Sequence, residues 1–188
     1  MTHKEGKLLV ISGPSGVGKD TVMDIITSIS SFKRFSTCTT RRPRQGEIDG
    51  VHYNFLNEQE FEKASSLFMM ASDVRINGYR YGLSIDDLEK AMSDGQDCIV
   101  QLVVPSAEVL KIRIPRAILI YLMPPNLLVL TDRLRKRGGI PEGQVLHTLK
   151  DAQLMAPPTG FYSFLLVNEE DKPQETAVQI LEYLGRSQ

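Results

Sequence analysis

Cysteine is scarce in this chain, with two in 188 residues, Cys38 and Cys98. They stand far apart without a C-x-x-C or Cys/His spacing, which excludes a disulfide framework and a zinc site and leaves two buried or half-buried thiols. An excess of charge is missing as well. Lysine and arginine number 22 against 23 aspartates and glutamates, a net charge of -1, so no overall field draws the protein to nucleic acid or to an acidic membrane surface. No apolar run approaches a membrane-spanning length, and the polar start MTHKEGK leads directly into a short apolar run at residues 8–11. A cytoplasmic, soluble protein is expected. His3, His52 and His147 share no metal-ligand spacing, and there is no internal repeat or low-complexity tract. What remains, 41% hydrophobic residues, is enough for one well-buried core.

Periodicity orders the elements. LLVIS (8–12) reads as a buried strand, residues 13–18 as a turn, and Lys19 to about Ser30 as a helix with Val22, Ile25, Ile26 and Ile29 on its apolar face. Residues 35–55 turn polar and basic and read as irregular backbone with short strands. Asn57 and Glu60 form a capping box for a helix over 58–65, and Asn77-Gly78 marks a hairpin between FMMASDVRI and YRYGLS. Ser84 with Asp87 opens a further helix that Gly95 closes. CIVQLVV (98–104) and AILIYLM (117–123) are continuous apolar runs, as in parallel strands covered on both faces, with the short helix PSAEVLKI between them. Asn126 caps a helix ending in RLRKRGG, 141–153 form a polar helix, APPTG (156–160) a loop, 162–167 a last strand and 173–184 a terminal helix. Strands alternating with helices make an α/β fold with a parallel sheet flanked by helices, and ligands belong at the C-terminal ends of its strands.

GPSGVGKDT, residues 13–21, carries the first chemistry. Gly13, Gly16 and Gly18 let backbone N–H groups turn inward as an anion nest, and the following helix adds its positive end. Ser15 and Val17 complete the loop, and Lys19 supplies a full charge to the β- and γ-phosphates of a nucleotide. The pattern G-x-x-x-x-G-K-[ST] asks for a hydroxyl next, to hold Mg²⁺; here Asp20 stands there and Thr21 follows. A carboxylate ~4 Å from a phosphate oxygen is repelled by on the order of 4 kcal/mol at an effective dielectric of roughly 20. A cation between them reverses the sign, since carboxylates are good Mg²⁺ ligands. Either Asp20, with Thr21, holds the metal, or Asp20 is only a favourable first-turn anion.

TCTTRRPRQGEIDGVHYNF (37–55) gathers Arg41, Arg42 and Arg44 beside Thr37, Glu47 and Tyr53. Arginines converging on one phosphate give bidentate, charge-assisted contacts, with a tyrosine hydroxyl as a further donor. A solvated basic turn explains the cluster equally well when it is taken alone. Beside the phosphate loop it suggests a second, phosphorylated substrate.

With ISGPSGVGKDT, TTRRPRQGEIDGVHYNF, the RYG segment, PP followed by RLRKRG, and LLVNEED in order, the chain resembles the guanylate kinase family almost end to end. The resemblance implies a single domain over 1–188: a P-loop core at about 1–34, 96–125 and 160–188, a nucleoside-monophosphate-binding lobe at about 35–95, and a mobile lid at about 126–159. It implies Mg²⁺-dependent transfer of the γ-phosphoryl of ATP to GMP. Arg41, Arg44, Tyr53 and Tyr81 then hold the acceptor phosphate, Thr37, Glu47 and Ser84 place the acceptor, Arg133 and Arg137 neutralise the group in transfer, and Asn168 lies near the adenine.

The chain departs from that pattern at several positions. The guanine-reading glutamate aligns with Met70, whose thioether cannot accept the N–H donors of a guanine edge. An acidic pair aligns with Gln101 and Val103, a hydroxyl with Leu83, and a lid arginine with Thr148. GKD and the turn around Arg80, Tyr81 and Gly82 look like the ribose 1,5-bisphosphate phosphokinases, which have no base to read. A guanylate-kinase-like binding module without turnover is a third reading of the same losses.

Overall fold

The computed structural model describes residues 5–67, 74–76, 78–136, 142–154 and 160–186. In chain order its elements are β1 (Leu8–Ser12), α1 (Lys19–Ile29), β2 (Lys33–Arg34), β3 (Thr37–Thr39), β4 (Tyr53–Phe55), α2 (Glu58–Leu67), β5 (Val74–Ile76), β6 (Tyr79–Gly82), α3 (Ile85–Ser93), β7 (Cys98–Gln101), α4 (Val104–Arg113), β8 (Ile118–Met123), α5 (Leu127–Lys136), α6 (Glu142–Leu154), β9 (Phe164–Val167) and α7 (Pro173–Arg186). A five-stranded sheet runs β2-β7-β1-β8-β9. Its registers are parallel where Lys33 meets Cys98 and where Ile120 meets Phe164. All five residues of β1 are buried, as are the central four of β8, so these apolar runs are strands covered on both faces.

The chain divides into two compact units, one comprising the chain up to Val10 with Ser31–Ile118, the other Ile11–Ser30 with the chain from Leu119 onward. In the first, a second sheet runs β4-β3-β6-β5. β3 pairs parallel with β4 and antiparallel with β6, and β5 pairs antiparallel with β6. The hairpin read at Asn77-Gly78 forms with Ile76 opposite Tyr79 and Gly78 at φ 83°; Asn77 lies outside the described residues. The capping box before α2 closes reciprocally, the Asn57 amide donating to the Glu60 carboxylate and the Glu60 amide to the Asn57 side-chain oxygen, each at 2.8 Å. Ser84 caps α3 by accepting from the Asp87 amide.

In the second unit, α1 packs on α7. Its buried residues are Val22, Met23 and Ile26, whereas Ile29, expected on that face, is 50% exposed. The apolar stripe ends one turn early because the helix ends at Ile29 and leaves its last residue beside solvent. Asn126 caps α5 through the Val129 amide at 2.9 Å, and Leu130 and Leu134 of α5 meet Val145 of α6.

The boundary after β7 differs from its sequence reading. The run 98–104 is strand only to Gln101, and α4 takes Val104, with Pro105 in its first turn. Proline belongs there because its missing N–H would have no partner in a first turn anyway. An apolar run cannot by itself tell a strand's end from a helix's start.

Candidate active site

The phosphate loop is built by close approach of backbone. Gly13 has φ 145°, and a Cβ there would stand 2.4 Å from the Leu122 carbonyl oxygen of β8. Gly16, read from the sequence only as part of the anion nest, also lies against α5: a Cβ on it would meet the Leu134 side chain at 2.8 Å. That side chain can shift, so it is the left-handed backbone at φ 85° that favours glycine here, with the close fit to α5 as a contact the spacing of the loop did not reveal. Gly18, at φ 97°, caps α1 with no side-chain hydrogen bond. The first-turn amides of α1 form the positive end of the helix, an arrangement suited to a phosphate. The Lys19 ammonium folds back over the loop and donates to the carbonyls of Gly13 and Pro14, each at 2.9 Å. Ser15 and Asp20 are half-buried and Thr21 is exposed, the last two in the first turn of α1.

Behind the loop, two side chains hold one carbonyl. Val17 O accepts from the Asn168 side-chain amide at 2.8 Å and from the Arg133 guanidinium at 3.1 Å. Arg133 also donates to the carbonyls of Asn168 and Glu169, both at 3.2 Å. Asn168 follows β9, is 3% exposed, and anchors its own backbone through its amide to Met123 O. Arg137 lies outside the described residues.

The acceptor candidates gather on the second sheet because of its register. Thr37 stands opposite Tyr53, and Thr39 opposite both Phe55 and Tyr81. Cross-strand partners share a face, so Tyr53, Phe55 and Tyr81 come together, with Tyr53 5.7 Å from Phe55 and 6.2 Å from Tyr81 between ring centroids. Arg41 lies over the rings of Tyr53 and Phe55 at 5.5 and 5.7 Å. Its guanidinium grips Glu47 in a bidentate pair with both distances 2.9 Å, and the Arg44 amide donates to the same carboxylate at 2.7 Å. Burial alone pushes the Glu47 carboxyl up, but the Arg41 and Arg44 hydrogen bonds and charges outweigh it and hold it below the usual carboxylate range. Burial likewise disfavours the Arg41 cation, and Glu47 more than restores it. Glu47 is thus the internal partner of Arg41, a role that the sequence pattern did not separate from direct contact with an acceptor.

Three further positions are now explained locally. The Ser84 hydroxyl is engaged in its cap and also donates to the Asp87 carboxylate at 2.6 Å. Leu83 is fully buried core. Arg80 projects to the face opposite Tyr81, where it pairs with Glu62 of α2 at 2.6 Å and lies 4.5 Å over the Phe61 ring. Arg80, read from the sequence as part of a turn, stands on strand β6 and fastens α2 to the sheet. Met70 lies outside the described residues, while Val103 and Thr148 are half-buried.

Read from the sequence, Gln101 is the loss of a carboxylate. In the structure its side-chain amide donates to the Tyr53 hydroxyl at 2.8 Å, and its buried Oε1 has no hydrogen-bond partner. A carboxylate at 101 could only accept from Tyr53, whereas the amide can also donate to it. Pairing across 48 residues of chain leaves no local signal by which sequence could have found it. Among the described residues no group of three His, Cys, Asp or Glu could hold a metal, and no helix is long and apolar enough to cross a membrane.

The family model described as guanylate kinase matches residues 5–185. The guanylate kinase of Carboxydothermus hydrogenoformans is 37% identical over 183 residues, covering 96% of this chain and 87% of its own. That of Helicobacter pylori is 31% identical over 188 residues, covering 97% and 89%. The crystal structure of guanylate kinase from Anaplasma phagocytophilum superposes with a TM-score of 0.71 at 23% identity, covering 98% of this chain and 87% of that one.

Proposed function

The chain belongs to the guanylate kinase family, and on that premise we infer that it transfers the γ-phosphoryl group of Mg-ATP to GMP, giving ADP and GDP. The observation that carries this reading is the presence of two phosphate-type sites in one chain. The loop over 13–19 offers backbone amides and the Lys19 ammonium for a donor, and the second sheet offers Arg41, Tyr53 and Tyr81 for an acceptor phosphate. Phosphoryl transfer is mostly positioning and charge neutralisation, so the lack of a histidine base is no obstacle.

In this reading Lys19 leaves the carbonyls of Gly13 and Pro14 for the β- and γ-phosphates. Arg41, held rigid by Glu47, and Arg44 bind the acceptor phosphate with the two tyrosine hydroxyls. Thr37 helps place the acceptor and Arg137 neutralises the phosphoryl group in transfer, whereas Arg133, expected to share that role, has its guanidinium on the Val17, Asn168 and Glu169 carbonyls and braces the loop instead. Asp20 and Thr21 would hold the Mg²⁺ that accompanies the nucleotide, which would supply positive charge to neutralise the phosphates. The donor set fits such an ion: Asp20 and Thr21 offer a carboxylate and a hydroxyl in the first turn of α1, directly after the loop.

The test is ADP release from saturating Mg-ATP against GMP, dGMP, AMP and ribose 1,5-bisphosphate. Turnover of the guanine nucleotides is expected, with another residue reading the base in place of Met70. Turnover confined to the sugar phosphate overturns the GMP assignment, and silence across the panel with tight Mg-ATP binding makes the protein a binding module. For the metal, Asp20→Ser is expected to weaken Mg²⁺ affinity in titrations of the nucleotide-bound protein. Stronger Mg-ATP binding by that variant would instead mark Asp20 as inhibitory.

A further inference from the structure

We propose that Thr176, on α7, is a positioning residue for the donor loop, acting through Asn168 to aim the Gly18 amide at a donor phosphate. The proposal rests on the reading of residues 13–19 as the donor site. It begins from two buried polar side chains, each 3% exposed. The Thr176 hydroxyl donates to Asn168 Oδ1 at 2.9 Å, its other acceptor, Lys172 O, being more distant at 3.4 Å. Asn168 Nδ2 in turn donates to Val17 O at 2.8 Å.

The amide's orientation does not depend on where hydrogens are drawn. A carbonyl only accepts, so the Asn168 atom facing Val17 O must be the nitrogen, and the oxygen must face Thr176. The Thr176 hydroxyl is the group that rewards this orientation. Val17 O is thereby drawn toward Asn168, with Arg133 reinforcing the pull at 3.1 Å. In a trans peptide unit the C=O and the next N–H point in opposite directions, so the Gly18 N–H is turned away from Asn168, to the side that the donor-site reading assigns to a phosphate. The contact also requires glycine at 18, since a Cβ there would stand 2.6 Å from Asn168 Nδ2. Asn168 thus has its side chain committed to the loop backbone, which makes it a support for the phosphates in addition to any part it plays near an adenine.

Thr176→Val keeps the shape of the side chain and removes the hydroxyl. It is expected to raise the KM for Mg-ATP roughly tenfold, the scale of one lost neutral hydrogen bond, while kcat and the KM for GMP stay within about twofold. Thr176→Ser, which keeps the hydroxyl, restores the wild-type value. Asn168→Asp, which sets a carboxylate oxygen against Val17 O, is expected to raise the KM further. Unchanged Mg-ATP kinetics in Thr176→Val overturns the proposal, as does an equal rise in both substrates' KM or a Thr176→Ser as impaired as the valine variant. Calorimetry of the wild-type protein with Mg-ATP separates the two levels: no binding there brings down the donor-site reading itself and this proposal with it.

Discussion

Replacing Lys19 with methionine is expected to lower kcat by roughly a thousandfold while leaving the fold intact. The ammonium sits over the loop on the Gly13 and Pro14 carbonyls, within a side chain's swing of whatever the loop amides hold. One unit charge about 4 Å from another, at an effective dielectric of roughly 20, is worth ~4 kcal/mol, and each ~1.4 kcal/mol removed from transition-state stabilisation is a factor of ten in rate. Charge on the γ-phosphoryl oxygens is what the loop exists to neutralise, so most of that energy appears in kcat. Methionine retains the length and apolar stem of lysine, and the loop's shape is fixed elsewhere: by the Gly13 approach to β8, by Gly16 against Leu134, and by the Asn168 and Arg133 bonds to Val17 O. Steady-state kinetics under saturating Mg-ATP and GMP, beside a melting curve, check this. A variant that melts like the wild type and keeps more than about a tenth of its kcat would remove Lys19 from the chemistry, since roughly a thousandfold is what the Coulomb term demands.

The parts of this protein that sequence makes legible are those whose cause lies within a few residues. The Asn57/Glu60 box, the Ser84 cap and the Asn126 cap are three-residue signals, and all three close as hydrogen bonds. The loop at 13–19 is legible for the same reason: its glycines, lysine and flanking strand and helix are contiguous. Where a boundary depended on which of two apolar elements owned a residue, as at Val104, hydrophobicity could not decide and proline geometry did. The supports of the site are a different matter. Gln101 reaches Tyr53 from β7, Thr176 reaches Asn168 from α7, and Leu134 closes on Gly16 from α5, contacts that exist only because the fold brings distant segments together. Arg41 is an intermediate case. Sequence placed it among phosphate ligands, and the six-residue step to Glu47 gave no sign of the bidentate pair. That pair orders the arginine before any substrate arrives.

That ordering predicts the largest stability effect, in Glu47→Gln. Both side chains of the pair are 8% exposed, and removing one charge strands the other in a site with little water to replace it. Breaking a buried pair from one side costs about 3 kcal/mol at the lower end of its range, and for a chain of this length that is a fall in Tm of about 6–12 °C. The Arg44 amide keeps at best a weaker, neutral acceptor, so the basic loop loosens and the KM for GMP rises more than about tenfold, while the KM for Mg-ATP holds. The pH dependence follows from the same carboxyl. Its proton is bound less readily in the folded protein than in the unfolded chain, because the two arginines outweigh the effect of burial. Its contribution to stability is therefore complete above the unfolded carboxylate value and drains away as pH falls through the lower, folded one. Melting curves across the acid range should show the wild type losing stability over that window and Glu47→Gln, which has no proton to bind there, with a flatter profile. A variant that melts within about 2 °C of the wild type and follows the same acid limb would mean that Arg41 is held by the Tyr53 and Phe55 rings and the Arg42 carbonyl, and that its carboxylate partner is dispensable.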